Sequence, residues 1–255
     1  MNSNRKIMQL TRNWVTAFVD PRRVIGIMNL PRYLVDWRRY NRLAGIQKLN
    51  WQDSFPSLTD WTSLTPFDAH YFYQAAWIAR RLTCTKPLWH VDIGSSVMMI
   101  GVTSAIAPTT FVDYRPFRAQ LAGLQSLAGD LMTLPFADDS VPSLSCLHVI
   151  EHVGLGRYGD KLNPQGSYEA GCELARILGR GGRLFLSTPV GRERVQFNAH
   201  RVFAPETVVA MFKDLELVDY ALVDDQGRFR DHQYPISMHS FNGEYGCGMF
   251  EFVKK

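Results

Sequence analysis

The sequence predicts an α/β fold, a mostly parallel sheet with helices on both faces, and three observations predict it. From Leu88 onward, short apolar runs of strand length alternate with longer segments of helical period. The first of these runs, "LWHVDIG" (88–94), ends on a glycine followed by Ser95 and Ser96, a strand–loop–helix corner. The last two runs are joined only by an irregular polar stretch, too poor in helix for a right-handed crossover, so the final strand should run antiparallel to its neighbour.

The elements follow in order. Residues 1–64 read as a helical, basic extension broken by Pro21, Pro31 and Pro56, and the second domain spans 65–255. "PFDAHYFYQAAWIARRLT" (66–83) is a helix with an aromatic inner face and Arg80 and Arg81 near its C-terminus, where cations complement the dipole. Strands are expected at 88–94, 109–114, 124–131, 141–150, 182–190, 215–225 and 245–255, with a helix over "SYEAGCELARILG" (167–179). The fourth strand should carry Glu151 and His152 to the carboxyl edge of the sheet, where ligands of such sheets bind.

Bulk properties narrow the function classes. The chain has 255 residues, 46% of them hydrophobic and 20% charged, ordinary for a globular protein with a sizeable core. No apolar run reaches the roughly 18–20 residues of a membrane span, and the first residues lack the apolar core of a signal peptide, so a cytoplasmic location is expected. The four cysteines are widely spaced, with no metal-ligand spacing, and read as reduced and mostly buried; no metal is expected. Charge is uneven. Residues 1–50 hold ten Lys/Arg (Lys48 the last) against two Asp, a net +8, leaving −4 for the rest of a chain whose total is +4. Such an arm suits an anionic partner, and peripheral contact with the inner membrane face through it is one expectation. The aromatics among these residues form no nucleic-acid motif, which disfavours nucleic acid.

The strand ends supply a cofactor constellation. Asp92 lies in the first strand and Gly94, Ser95 and Ser96 open the next helix. Asp113 ends the second strand, 21 residues later, a distance that suits an acid accepting from both hydroxyls of a ribose. Asp130 can accept from an adenine amino group while Leu131 flanks the ring. A nicotinamide dinucleotide would call for G-x-G-x-x-G at the first corner, whereas the chain has G-S-S-V-M-M, which favours the uncharged nucleoside of S-adenosylmethionine.

"VDIGSS", "FVDYRPF", "GDLMTLPFADDS", the strand ending in "VIEHV", "LARILGRGGRLFLSTPVG" and the terminal "GCGMFEFVK" resemble the successive motifs of class I S-adenosylmethionine-dependent methyltransferases. "EHVGLGRYGDKLNPQG" and "FNAHRVF" resemble, more narrowly, the methyltransferase-like family called domain of unknown function 268. The resemblance covers about residues 66–255 and implies a three-layer Rossmann-like methyltransferase fold, seven strands with the last antiparallel, and the cofactor at the carboxyl edge. It also implies methyl transfer to a small or glycan-type acceptor. The chain departs from the superfamily in having its glycine-rich loop reduced to Gly94-Ser95-Ser96.

Chemistry then assigns roles. A sulfonium methyl donor is already activated, so the protein has mainly to position an acceptor and remove its proton. His152 is the expected base, with Glu151 orienting it or binding the acceptor. Arg157, Tyr158 and Asp160 follow in a glycine-punctuated loop and offer donors and acceptors to a polyhydroxylated, phosphate-bearing or lipid-linked acceptor; His200 and Arg201 are a second contact pair. His148 reads as a satisfied core residue or a wall of the cofactor pocket. The expected function is O-methylation of a sugar or glycan-pathway intermediate. The alternative is a degenerate methyltransferase-like domain acting as a non-catalytic binding or scaffolding protein, and an NAD-linked oxidoreductase ranks third.

Overall fold

The structure is a computed structural model describing residues 3–43, 45, 49–233 and 241–255. The chain forms two compact units, Met1–Phe67 and Asp68–Lys255. Lys48 of the basic arm lies outside the described residues.

The first unit holds α1 (Ser3–Phe18), α2 (Pro21–Met28), α3 (Leu30–Leu43) and a 3-10 turn at Trp51–Asp53. Pro21 opens α2, a position where its missing N–H costs nothing. Little of this unit is buried: Gly26 packs under Leu58 and Thr59, Asn29 donates to the Leu58 carbonyl at 2.7 Å, and the Arg32 guanidinium stacks on Trp61 at 3.1 Å. Ile7, Met8, Trp14, Val15 and Phe18, which recur along one side of α1, are all exposed.

The second unit begins where Asp68 accepts from the His70 and Tyr71 amides and starts α4 (Ala69–Thr85). The main sheet comprises β1 (His90–Ile93), β2 (Thr109–Asp113), β3 (Leu124–Ala128), β4 (Val141–Leu147), β5 (Leu178–Val190), β8 (Leu215–Val223), β9 (Phe229–Arg230) and β10 (Gly246–Lys254). β6 (Arg194–Gln196) and β7 (His200–Val202) form a separate ribbon. The sheet order is β3-β2-β1-β4-β5-β10-β8-β9, so strand order reverses between β1 and β4. β10 inserts between β5 and β8 and is antiparallel to both, as the irregular, helix-poor connection predicted. One face is covered by α4 and α5 (Val97–Thr103) through Trp77, Ile78, Leu82, Met99 and Ile100. The other is covered by α6 (Gly166–Ile177) and α7 (Pro205–Met211) through Ala170, Leu174, Ile177, Val208 and Phe212.

Four expectations need correction. The main sheet has eight strands rather than seven, because Phe229 and Arg230 pair with Val223 and Leu222 as an extra edge. β5 starts at Leu178 rather than at residue 182 and takes in the "GRGG" stretch, bulging where it meets β4. β4 stops at Leu147 rather than running to residue 150: His148 adopts φ +57, which turns the chain out of the sheet, and Glu151 and His152 sit on a 3-10 turn (Ile150–His152). Of the cysteines, Cys146 and Cys247 are buried, but Cys84 and Cys172 are exposed.

A buried polar chain crosses β1 and β4. His90 meets Ser143 and Ser145 at 2.8 Å through its two ring nitrogens, and Ser145 donates to Asp92. Burial lowers the His90 pKa to about 3 and raises that of Asp92 to about 6 against its ordinary 3.8. An acid whose folded pKa is raised binds more protons in the native state, so its contribution to stability is present below pH 3.8 and lost as pH rises through 6. That gap corresponds to roughly 3 kcal/mol. Denaturant midpoints of Asp92→Asn should lack this decline between pH 4 and 7; an unchanged profile would place the pH dependence elsewhere.

Candidate functional site

The carboxyl edge of β1, β2 and β4 borders a narrow cleft. Ile93, Gly94, Val112, Asp113, Asp130, Leu131 and Val149 line it. At the first corner the Asp92 carboxylate accepts from the Ser95 amide at 3.0 Å and the Ser95 hydroxyl at 2.7 Å, and Ser95 Oγ accepts from the Leu147 amide at 3.1 Å. Asp92 is therefore turned into the loop that it shapes and is not among the residues lining the cleft, a correction to its expected contact with the cofactor. Gly94 stands at φ +65 with Val149 Cγ1 3.1 Å and Asp113 Oδ2 3.6 Å from where a Cβ would lie, so a side chain there would close the gap between them. Asp113 Oδ1 accepts from the Arg115 amide at 2.6 Å. Asp130 turns its loop by accepting from the Met132 amide at 2.9 Å.

A wider, polar cavity of about 680 Å³ adjoins the cleft. Ser95 and Ser96 line it rather than the cleft, together with His70, Tyr71, Arg157, His200 and Tyr245. Gly94, His148, His152 and Tyr158 line both spaces and form their common wall. His70, Tyr71 and Tyr245 carry no motif that marks them in the sequence. Their signals were faint: an aspartate starting a helix at "DAHY", and a tyrosine just before the last strand.

The histidines around the polar cavity differ. His152 Nδ1 donates to the Ala199 carbonyl at 2.6 Å, which leaves Nε2 as the basic nitrogen, 3.7 Å from Glu151 Oε1. Burial lowers the His152 pKa, and the neighbouring Glu151 opposes this only in part, so the ring is neutral at pH 7. Burial takes His200 down to about 4, and its Nε2 is buried without a protein partner. Glu151 is itself buried; its Oε1 holds His148 Nδ1 at 2.9 Å, and Oε2 accepts from Thr188 Oγ1 at 3.4 Å. Glu151 thus orients His148 more directly than His152, and although it is 1% exposed it borders the polar cavity.

The glycine loop after His152 is built by two residues expected to touch substrate. Asp160, although it borders the cleft, accepts from the amides of Gly154 at 2.7 Å, Gly156 at 3.3 Å and Tyr158 at 3.3 Å. Arg201 is 6% exposed and donates to the Val153 carbonyl at 2.6 Å, to Ser167 Oγ at 3.0 Å and to the Asn163 and Pro164 carbonyls. Its fork is consumed by backbone, so Arg201 is a structural tie and lines neither space. Arg157, which donates to the Ala199 carbonyl at 3.0 Å, and Tyr158, beneath the Arg115 guanidinium at 4.6 Å, do reach the open side.

Residues 137–239 match a family model described as "Caenorhabditis protein of unknown function, DUF268". No curated protein matches the chain. Among solved structures, a Galdieria sulphuraria protein provisionally assigned as a sarcosine dimethylglycine methyltransferase is similar at 12% identity and TM-score 0.55, covering 86% of this chain and 98% of that one. The [4+2]-cyclase SpnF is similar at 14% identity and TM-score 0.51, covering 91% and 96%. The N-methyltransferase NodS from Bradyrhizobium japonicum WM9, in complex with S-adenosyl-L-homocysteine, is similar at 15% identity and TM-score 0.51, covering 72% and 86%. At these identities the likeness concerns the fold, and the fold is the Rossmann-like one of the class I methyltransferases.

Proposed function

From a class I methyltransferase fold that matches the DUF268 model over residues 137–239, we propose that the protein binds S-adenosylmethionine and methylates a hydroxyl of a sugar-type acceptor. The observation that carries this reading is the common wall of Gly94, His148, His152 and Tyr158 between a narrow cleft and a polar cavity. Methyl transfer needs two ligands to meet at one point, and two spaces meeting at a shared wall supply that arrangement. The cleft fits a nucleoside: Gly94 leaves space beside Asp113, whose carboxylate can accept from ribose hydroxyls, and Leu131 offers an apolar flank.

S-adenosylmethionine, when bound, supplies a methyl group on a sulfonium. The chain's own residues do the rest. His70, Tyr71, Arg157, His200 and Tyr245 provide ring faces and polar atoms for a polyhydroxylated acceptor. His200 Nε2 can accept a hydroxyl proton in a hydrogen bond, and His152, its Nδ1–H held by Ala199, removes the reacting proton at Nε2. Calorimetric titration with S-adenosylhomocysteine, with NAD and NADH as controls, tests the reading. Micromolar binding of the first alone is expected; no binding by a folded sample would favour the non-catalytic scaffold.

The first unit supports a membrane-facing role for that enzyme. An exposed apolar stripe of Ile7, Trp14 and Phe18 on α1, within a segment of net +8, has the composition of a helix that lies in an anionic lipid interface. No helix among the described residues is long and apolar enough to cross a membrane. Trp14→Glu with Phe18→Glu in the full chain should reduce co-sedimentation with phosphatidylserine vesicles at least ~10-fold. Equal sedimentation of both proteins would remove the role.

A further inference from the structure

Beneath the polar cavity, three side chains far apart in sequence converge. His70 comes from the first turn of α4, His148 from the left-handed turn after β4, and Cys247 from the second residue of β10. Their ligand atoms all lie within 4.8 Å of one another, and His148 Nε2 is 3.2 Å from Cys247 Sγ. The two imidazoles stack with centroids 5.8 Å apart, and both rings border the cavity.

We propose that His70, His148 and Cys247 form a site for one soft divalent metal ion, zinc foremost, with its remaining coordination position open to the polar cavity. The inference goes beyond methyl transfer and does not depend on the identity of the donor.

Three features support it. Imidazole and thiolate are the ligand types that zinc and its softer neighbours select over magnesium or calcium. The distances fit: tetrahedral bonds of about 2.0–2.1 Å to nitrogen and 2.3 Å to sulfur separate ligand atoms by roughly 3.3–3.6 Å. The present spread, from 3.2 Å to at most 4.8 Å, closes to that with side-chain shifts of about an ångström or less. The third feature is the carboxylate behind the central ligand. Glu151, 1% exposed, holds His148 Nδ1 at 2.9 Å, which fixes the ring so that Nε2 points at the site, the outer-shell arrangement that orients metal-bound histidines. Three protein ligands leave a fourth position, and His70 and His148 turn it toward the space assigned to the acceptor. An acceptor oxygen or sulfur bound there would be made more acidic, as a Lewis acid does.

The test is a titration of the metal-free full chain with Co²⁺, followed by absorption spectroscopy. The expected result is saturation at one equivalent, with a thiolate-to-cobalt charge-transfer band that disappears in Cys247→Ser. His70, half-buried on the first helical turn, can be replaced without cutting into the core; His70→Ala should keep the fold by circular dichroism and weaken cobalt binding at least ~10-fold, and Glu151→Gln should weaken it about 10–100-fold. No charge-transfer band in the unmodified chain overturns the proposal and leaves a hydrogen-bonded His148–Cys247 pair. A band that survives Cys247→Ser overturns it too, since it would belong to exposed Cys84 or Cys172. Titrating S-adenosylhomocysteine into the same samples separates this outcome from a failure of the methyl-transfer reading.

Discussion

Asp113→Ala should lower affinity for S-adenosylhomocysteine by about 100-fold or more while leaving the melting temperature nearly unchanged. The carboxylate stands at the end of β2, half-buried, and among the described residues it accepts one hydrogen bond, from the nearby Arg115 amide. Losing it therefore removes little that holds the sheet together. A charged acceptor bonded to two ribose hydroxyls is worth roughly 1.5–3 kcal/mol per bond, and each 1.4 kcal/mol is a factor of ten in binding. Calorimetry on the folded variant measures this. Unchanged affinity would remove Asp113 from the ribose, and with it the nucleoside reading of the cleft.

His152→Ala should reduce turnover by about 10²–10⁴-fold with S-adenosylhomocysteine affinity kept within a few-fold, because the ring supplies a proton acceptor rather than a cradle for the donor. Its pH dependence carries a sign. Burial lowers the His152 pKa below the ordinary 6.5, so the neutral, basic form persists into mildly acidic solution. The acid limb of kcat should consequently lie below pH 6.5, and activity should fall as pH drops through it, not as pH rises. Full activity in His152→Ala would leave the imidazole as a spacer held by the Ala199 carbonyl.

What was legible in the sequence, and what was not, divides on physical lines. Strands with both faces covered are largely apolar runs, and "LFLSTPV" and "CGMFEF", interrupted only by the buried Ser187, Thr188 and Glu251, announced themselves as such. The antiparallel last strand followed from the absence of a helical connection. The end of β4 did not, because nothing in "CLHVIEHV" shows that His148 takes a left-handed backbone conformation usually left to glycine or asparagine. Within the candidate site, Gly94 and Asp113, which stand at recognisable strand ends, both line the cleft. Asp160 and Arg201 have the right chemistry for a substrate but spend it on the backbone of their own loop, and such spending depends on three-dimensional proximity that spacing does not encode. His70 and the Tyr245–Cys247 stretch belong to two distant segments that only the fold brings together at the cavity. SpnF, named a cyclase, is a reminder that the reaction must be argued from such side chains and not from the fold.

The placement of β10 has a consequence for how the protein is made. As the chain leaves the ribosome, β5 and β8 emerge with no partner for their facing edges, since the strand that joins them, residues 246–254, follows both. Until then two open edges face each other across a gap, and both cores lack Cys247, Met249, Phe250 and Phe252. The nascent protein thus holds an unsealed sheet until nearly all of the described chain has been synthesised, and sheet closure and completion of the His70–His148–Cys247 cluster become a single event. A translation product stopped before Gly246 would display sticky strand edges, a ready substrate for chaperones and proteases, and would lack a finished cavity floor.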